Sequence, residues 1–186
     1  MTGNERAGYC TIRVFDSLDK RVKSLPQGTW DGVFNDAELD LFGRTDKIRH
    51  LVRSEVWRLN ASAMSPDALA TPGYIDVHFI KATPGRVDEY RQMEQELFTK
   101  LHQARIDAGD LTSWWFFSRE FPSGYDLEWD FVTVNHYPSK EAAERPFDWD
   151  GASKALTDSE RESFPEVGKL RKTVRREFWE PIAKTE

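Results

Sequence analysis

The segment from Tyr74 to Tyr137 constrains the fold most, because extended and helical patterns alternate along it with turn signals between them. Its first part, Tyr74–Lys81, is rich in β-branched and aromatic residues and is bounded by Pro-Gly pairs, which predicts a strand. Successive side chains of a strand point to opposite faces. We therefore expect Val77 and Phe79 on one face, and Asp76 and His78 on the other.

A helical pattern follows this strand. The apolar residues that recur at helical spacing are Tyr90, Met93, Leu97, Leu101, Ala104 and Ala108. Thr83-Pro84 is a suitable start, since Thr caps a helix and Pro fits its first position. Gly109 is a suitable end. These signals predict one long helix with a single apolar stripe.

A hairpin completes the segment. Thr112–Phe121 and Glu128–Tyr137 have strand composition, and Pro122-Ser-Gly between them predicts a turn. A strand, a crossover helix and a hairpin make up half or more of a ferredoxin-like sandwich. The sequence therefore predicts an α+β fold: a ferredoxin-like antiparallel sheet that helices cover on one face, with the other face left for a partner.

The rest of the chain is divided by its linkers and by an internal repeat. Strands and helices are predicted at Tyr9–Asp16, Arg44–Asn60 and Glu166–Trp179, and long connections at 17–42 and 138–165. Two parts of the chain resemble each other: Lys47–Trp57 aligns with Lys169–Trp179, and Thr11–Ser17 with Thr133–Ser139, at one common offset. We interpret this as a duplication whose first copy is incomplete, so that the chain is either a truncated tandem protein or completed by a partner chain.

The predicted organisation is a disordered lead-in and one compact unit. Its parts are the lead-in at 1–8, a partial repeat at 9–60 and a ferredoxin-like repeat at 74–180, within one unit spanning 9–182. The duplicated units imply a sheet of about four strands. The unpaired strand edges of such a sheet favour pairing with another chain, and the surplus of seven Trp supports an interface. We expect a homodimer.

Composition restricts the classes of function. The net charge of −6 argues against nucleic-acid binding, which needs a basic surface. The single cysteine and four scattered histidines argue against a metal site, and no cofactor-binding motif is present. The chain has no apolar run long enough for a membrane span and no signal sequence at its start, so we expect a cytoplasmic location without a membrane partner.

Several motifs together resemble a known superfamily. They include Glu94-Gln-Glu, Leu101-His-Gln-Ala-Arg, Phe121-Pro-Ser-Gly and Asp130-Phe-Val-Thr-Val-Asn. On these residues the chain resembles the dimeric α/β-barrel superfamily, with its NIPSNAP-like and antibiotic-monooxygenase-like members, and within it an uncharacterised bacterial group with tandem repeats. The resemblance implies the fold, but no catalytic motif of a named enzyme of the superfamily lies on this chain.

Polar residues beside apolar stripes are the candidates for a site. Glu94, His102 and Arg105 lie near the stripe of the central helix, and His78 lies on the strand before it. Trp114 belongs to an aromatic run that would line a pocket. A site there would suit a small apolar or aromatic ligand. The alternative is that the three helix residues form a solvated helix margin and that the aromatic run is core.

Glu55 and Glu177 are further candidates, because each falls within the apolar stripe of a predicted helix. A carboxylate on a core face is costly unless it is paired. We interpret both either as structural residues bonded to Arg, Trp or backbone, or as acid–base groups. The function is accordingly predicted as a small-molecule-binding or structural domain; the alternative is a cofactor-independent monooxygenase or isomerase.

Overall fold

The structure is a computed structural model that describes residues 53–66, 68, 73–124 and 126–181, and isolated positions between 10 and 44. The chain divides into two units, Met1–Ser54 and Glu55–Glu186. The predicted lead-in at 1–8 lies outside the described residues, as does most of the partial repeat up to residue 52.

Few positions of the first unit are described. Cys10, Ile12 and Phe15 belong to no strand, so at these positions the predicted strand is wrong. Asp36 and Asp40 are helical, although an irregular connection was predicted there.

The second unit contains an antiparallel sheet of five strands. They are β1 (Val56–Met64), β2 (Tyr74–Ala82), β3 (Ser113–Phe121), β4 (Phe131–Tyr137) and β5 (Arg171–Trp179). Their order across the sheet is β1-β3-β4-β2-β5. All four neighbouring pairs are antiparallel. With the helices between the strands, this is an α+β fold, which confirms the predicted class.

The central helix connects β2 to β3 and consists of three segments. They are α1 (Val87–Met93), a π-helical segment (Glu94–Phe98) and α2 (Thr99–Asp107). The helix begins later than predicted, because the Thr83 hydroxyl donates to the Lys169 carbonyl at 2.8 Å instead of capping the helix. Its end is as predicted: Gly109 has φ +76°, a conformation that glycine adopts without strain.

Two predicted helices are wrong over most of their described residues, although Arg44 and Val167–Leu170 are helical. Within Arg44–Asn60, the part from Val56 onward lies in β1, and Glu166–Trp179 is mostly β5. The end of the chain is a strand instead of a helix because Arg171–Trp179 pairs with β2 in an antiparallel ladder. Helix propensity is a weak preference that such tertiary contacts override, and the aromatic and β-branched side chains of β5 suit a pleated sheet.

The connection predicted at 138–165 is also more regular than expected. It contains α3 (Lys140–Glu144), α4 (Trp149–Ala152) and α5 (Asp158–Ser163), and α6 (Val167–Leu170) follows before β5. Thr157 and Glu160 form a reciprocal capping box at the start of α5. The sequence Thr-Asp-Ser-Glu carries this signal. Among the helices that the structure describes, none is long and apolar enough to cross a membrane.

The sheet separates two apolar clusters. The larger, which we call the helix-side cluster, joins the central helix to β2, β3 and β4 and includes Tyr90, Leu101, Trp114, Phe116 and Phe131. The smaller, on the opposite face, consists of Val77, Phe79, Trp129 and Val132. Val77 and Phe79 thus lie on the face opposite Ile80, as the alternation of β2 predicted.

The matched residues of the proposed repeat do not occupy equivalent places. Trp57 is the second residue of β1, whereas Trp179 is the last residue of β5. Glu55 precedes its strand and Glu177 lies within its own. The alignment of Lys47–Trp57 with Lys169–Trp179 predicts that Glu55 and Glu177 are structurally equivalent, and this prediction is wrong. The duplication itself stays a prediction, since most of its first copy lies outside the described residues.

Candidate functional site

Polar side chains lie along the inner face of the central helix. Glu94, His102 and Arg105 are only 1%, 8% and 9% exposed, so the alternative of a solvated helix margin is wrong. The π-helical segment explains why these side chains point inward instead of lying at the margin of the apolar stripe. It inserts one extra residue into the turn, so the inward face runs through 101, 102 and 105 rather than through 104 and 108.

Glu94 begins the π-helical segment and is the most deeply buried acid of the helix. Its Oε1 accepts a hydrogen bond from the Tyr90 hydroxyl, and its Oε2 has no partner among the described residues. Burial raises the pKa of Glu94 to about 7, against a smaller lowering by the Arg171 guanidinium and the Tyr90 hydrogen bond. Burial and the neighbouring carboxylate also raise the pKa of Tyr90. Glu94 can therefore gain or lose a proton near neutral pH.

Arg171, the first residue of β5, faces Glu94 from the sheet side. Its guanidinium carbon lies 5.9 Å from the Tyr90 ring centroid and 5.8 Å from that of Phe98. One nitrogen, Nη1, donates to Thr173 at 3.2 Å. The buried Nε has no partner among the described residues. The sequence analysis missed Arg171 because it assigned this residue to a helix.

His102 lies two turns beyond Glu94, between aromatic rings. Its imidazole stacks on Trp114, with centroids 4.8 Å apart and an angle of 16°, and on Phe98 at 6.0 Å. Burial lowers the pKa of His102 well below its ordinary value, and the positive charges of Arg105 and Arg171 lower it further. His102 is thus a neutral imidazole at physiological pH.

Arg105 ends this line of polar side chains. It forms an ion pair with Asp110, with an Nε–Oδ2 distance of 2.8 Å. Two longer contacts, both 3.4 Å, join Arg105 Nη1 to His102 Nδ1 and Arg105 Nη2 to the Tyr137 hydroxyl. Arg105 therefore connects the helix to β4 through side chains alone.

His78 approaches the same region from β2. Its Nε2 lies 2.9 Å from Asp76 Oδ2, and Asp76 also accepts two hydrogen bonds from Arg176, at 2.8 and 2.7 Å. Burial raises the pKa of Asp76, but the bonds from His78 and Arg176 outweigh burial, so its pKa is lowered. Asp76 holds the half-buried His78 ring in one orientation, in the manner of a carboxylate that positions a general base.

The structure therefore brings together five of the predicted site residues. His102 lies between the others: its ring contacts Trp114 and Arg105. It also interacts electrostatically with His78. Its ring stacks on Phe98, and Arg171 interacts electrostatically with both His102 and Glu94. We call this set the interior polar cluster; its members are His78, Glu94, His102, Arg105, Trp114 and Arg171.

Glu55 and Glu177 do not belong to the interior polar cluster. Glu55 accepts a hydrogen bond from Arg119 at 3.1 Å, and both side chains are buried. Glu177 pairs with Arg175 and accepts a hydrogen bond from Trp179 Nε1 at 2.8 Å. Each is bonded as the structural interpretation predicted, and neither lies in a helix stripe.

A surface depression of about 230 Å³ lies elsewhere on the second unit. Its lining includes Val87, Arg91, Arg119, Gly124 and Asp130. None of the predicted site residues lines it. Among the described residues, no group of three or more His, Cys, Asp or Glu side chains is placed to hold a metal ion.

Comparisons with known proteins found no relative of this chain. No protein-family model, curated protein or solved structure matches the chain. The resemblance to the dimeric α/β-barrel superfamily stays a prediction.

Proposed function

We propose that this chain is a small-molecule-binding domain whose site is the interior polar cluster. The observation that carries this proposal is Glu94: a carboxylate that is 1% exposed, with one oxygen bonded to Tyr90 and the other unpartnered among the described residues. Leaving a buried polar atom unpaired costs about 1–3 kcal/mol. Proteins retain such groups where a ligand or a reaction uses them.

The surroundings of Glu94 indicate the class of ligand. Phe98, His102 and Trp114 supply flat ring surfaces, and Arg171 supplies a buried donor. Surroundings of this kind, mostly aromatic with a few directed polar groups, suit a small planar molecule with at least one polar atom.

A thermal-shift screen of small planar compounds tests the proposal. A ligand at ten times its Kd stabilises the protein by about 1.4 kcal/mol, which corresponds to about 3–5 °C in a protein of this size. Hits should raise the Tm of the wild type and of Gln103→Ala, a control on the exposed side of the same helix. They should lose most of this effect in Glu94→Gln, His102→Ala and Arg105→Ala.

Two outcomes of the screen count against the site. Hits that stabilise all these variants equally would place the ligand elsewhere on the protein. A complete absence of hits would favour a structural role for the interior polar cluster, the other function that the sequence predicted.

A cofactor-independent monooxygenase or isomerase is the second candidate function. Its support is the pKa of Glu94, about 7, since a general acid or base works best when its pKa lies near the operating pH. If the protein turns over one of the bound hits, Glu94→Gln should bind it more weakly and should also lose turnover at concentrations that saturate the variant. Equal turnover by this variant would contradict the acid–base role.

We infer a ferredoxin-like arrangement from the strand order. The four strands β5, β2, β4 and β3 are neighbours in that order, with the central helix between β2 and β3 and the shorter helices between β4 and β5. This order and these connections support the split βαβ type of sheet. In this arrangement β1 is an additional strand beside β3.

We also propose that the protein is a homodimer. Support comes from the edge strand β1, which is nine residues long and carries the exposed side chains of Leu59 and Met64, 52% and 44% accessible. Long edge strands with apolar side chains favour pairing with another chain. Light scattering at high micromolar concentration should give twice the monomer mass, and a monomer mass would contradict the dimer. The predicted cytoplasmic location stays a prediction.

A further inference from the structure

A second group of residues surrounds Tyr137 at the outer end of the interior polar cluster. Two arginines approach this tyrosine: Arg105 from α2, with its Nη2 3.4 Å from the hydroxyl, and Arg176 from β5, which interacts with it electrostatically. Tyr137 itself is 7% exposed. One guanidinium group thus contacts the phenol, and a second, on another element, lies within electrostatic range of it.

The guanidinium group of each of these arginines lies over the ring of an exposed phenylalanine. The guanidinium carbon of Arg105 lies 4.7 Å from the Phe147 ring centroid, and that of Arg176 lies 4.6 Å from the Phe178 ring centroid. Phe147 and Phe178 are 44% and 47% exposed, so part of each ring is accessible to a ligand.

Tyr74 extends the same aromatic surface. It is the strand neighbour of Tyr137, and its ring stacks on Phe178 with centroids 5.9 Å apart and an angle of 29°. The result is a partly exposed aromatic surface beside two cations.

Both guanidinium groups are held in place at one edge and retain donors at the other. Asp76 occupies Nε and Nη2 of Arg176, so Nη1 lies at the opposite edge of the guanidinium plane. Asp110 binds both Nε and Nη2 of Arg105, at 2.8 and 2.6 Å, and the other two polar contacts of this guanidinium, at 3.4 Å, are at the outer limit of hydrogen bonding. Fixed guanidinium groups with free donors are suited to carboxylates.

We propose that this surface binds the carboxylate of a planar aromatic acid, with the ring against Phe147, Phe178 and Tyr74 and the carboxylate toward Arg105 and Arg176. This inference rests on the proposed small-molecule site, since Arg105 belongs to both. It adds the charge and shape of the ligand, which Glu94 and the interior rings do not specify.

Three probes separate the parts of the proposal in calorimetric titrations. Benzoate carries a ring and a carboxylate, benzyl alcohol a ring without the charge, and acetate the charge without a ring. We expect benzoate to bind at least tenfold more tightly than either of the other two. A charge-assisted hydrogen bond is worth about 1.5–3 kcal/mol, and 1.4 kcal/mol is a factor of ten.

Variants locate the benzoate site. Arg176→Gln should weaken benzoate about tenfold or more. Arg175→Gln is the matched control, because Arg175 directly precedes Arg176 on β5 and pairs with Glu177 instead. This variant should leave the affinity for benzoate unchanged. Phe178→Leu should weaken benzoate several-fold. This exposed substitution keeps the test valid if Arg176→Gln unfolds the protein by freeing the buried Asp76.

The aromatic-acid inference fails if benzoate binds no better than benzyl alcohol, if none of the probes binds, or if neither Arg176→Gln nor Phe178→Leu changes benzoate affinity. Such a failure differs from a failure of the interior site. The interior site is judged by the loss of ligand stabilisation in Glu94→Gln, a residue that the surface around Tyr137 does not contain.

Discussion

Replacing Trp114 by alanine is expected to lower the free energy of unfolding by about 3–5 kcal/mol, the usual cost of truncating a buried aromatic side chain. Trp114 has no exposed surface, and its ring stacks on His102 and lies parallel to Phe116 at 6.4 Å. Its removal leaves a cavity between β3 and the central helix and takes away the surface that supports the neutral His102.

Urea denaturation measures this loss. Trp115→Ala is the matched control, because Trp115 is adjacent in β3, points to the other face and is only partly buried. We expect the control to lose clearly less stability than Trp114→Ala. Equal losses would mean that the helix-side cluster does not depend on Trp114 as described.

Glu94→Gln is expected to stabilise the protein by about 3 kcal/mol at pH 8 and by less than about 1 kcal/mol at pH 5. The folded pKa of Glu94 is about 7 against an ordinary value of 4.5, so the unfolded chain releases this proton more easily. The contribution of Glu94 to stability is therefore most favourable below pH 4.5 and is lost as the pH rises through 7. Glutamine is neutral at every pH and still offers Tyr90 an acceptor.

The difference in the free energy of unfolding between Glu94→Gln and the wild type separates the effect of Glu94 from that of His102. Because the pKa of His102 is lowered in the fold, its contribution has the opposite sign and is lost as the pH falls below 6.5. Both proteins contain His102, so its contribution cancels in the difference. Glu96→Gln, on the exposed side of the same segment, is the matched control for the effect of the substitution itself. If the difference in unfolding free energy between Glu94→Gln and the wild type were the same at pH 5 and pH 8, the raised pKa of Glu94 would be contradicted.

The central part of the fold could be predicted from the sequence because its signals are local. The alternation in β2, the glycine after the central helix and the turn between β3 and β4 each depend on residues close together in the chain. These three features were predicted, with strand boundaries that differ by up to a few residues.

The end of the chain could not be predicted in this way. Arg171–Trp179 contains many charged residues with good helix propensity, and only its pairing with β2 makes it a strand. That pairing joins residues far apart in sequence, so no local pattern reveals it. For this reason the predicted site lacks Arg171, a member of the interior polar cluster, and Arg176, which donates two hydrogen bonds to Asp76.

The candidate site was predicted in part for a physical reason. Glu94, His102 and Arg105 were recognised because charged or polar residues near an apolar stripe are costly to bury. Their burial was underestimated because the π-helical segment moves the inward face by one position, and the helix periodicity alone does not indicate such a segment. Glu55 and Glu177 were included because their segments were read as helices.

The protonation of Glu94 is the most direct test of an interior polar cluster that functions at neutral pH. Its side-chain carboxyl carbon can be followed by ¹³C NMR during a pH titration, with the resonance assigned by its loss in Glu94→Gln. We expect a midpoint near pH 7, set by burial between the central helix and β5. A midpoint below pH 5 would show a hydrated carboxylate and would contradict the buried site on which the proposed function depends.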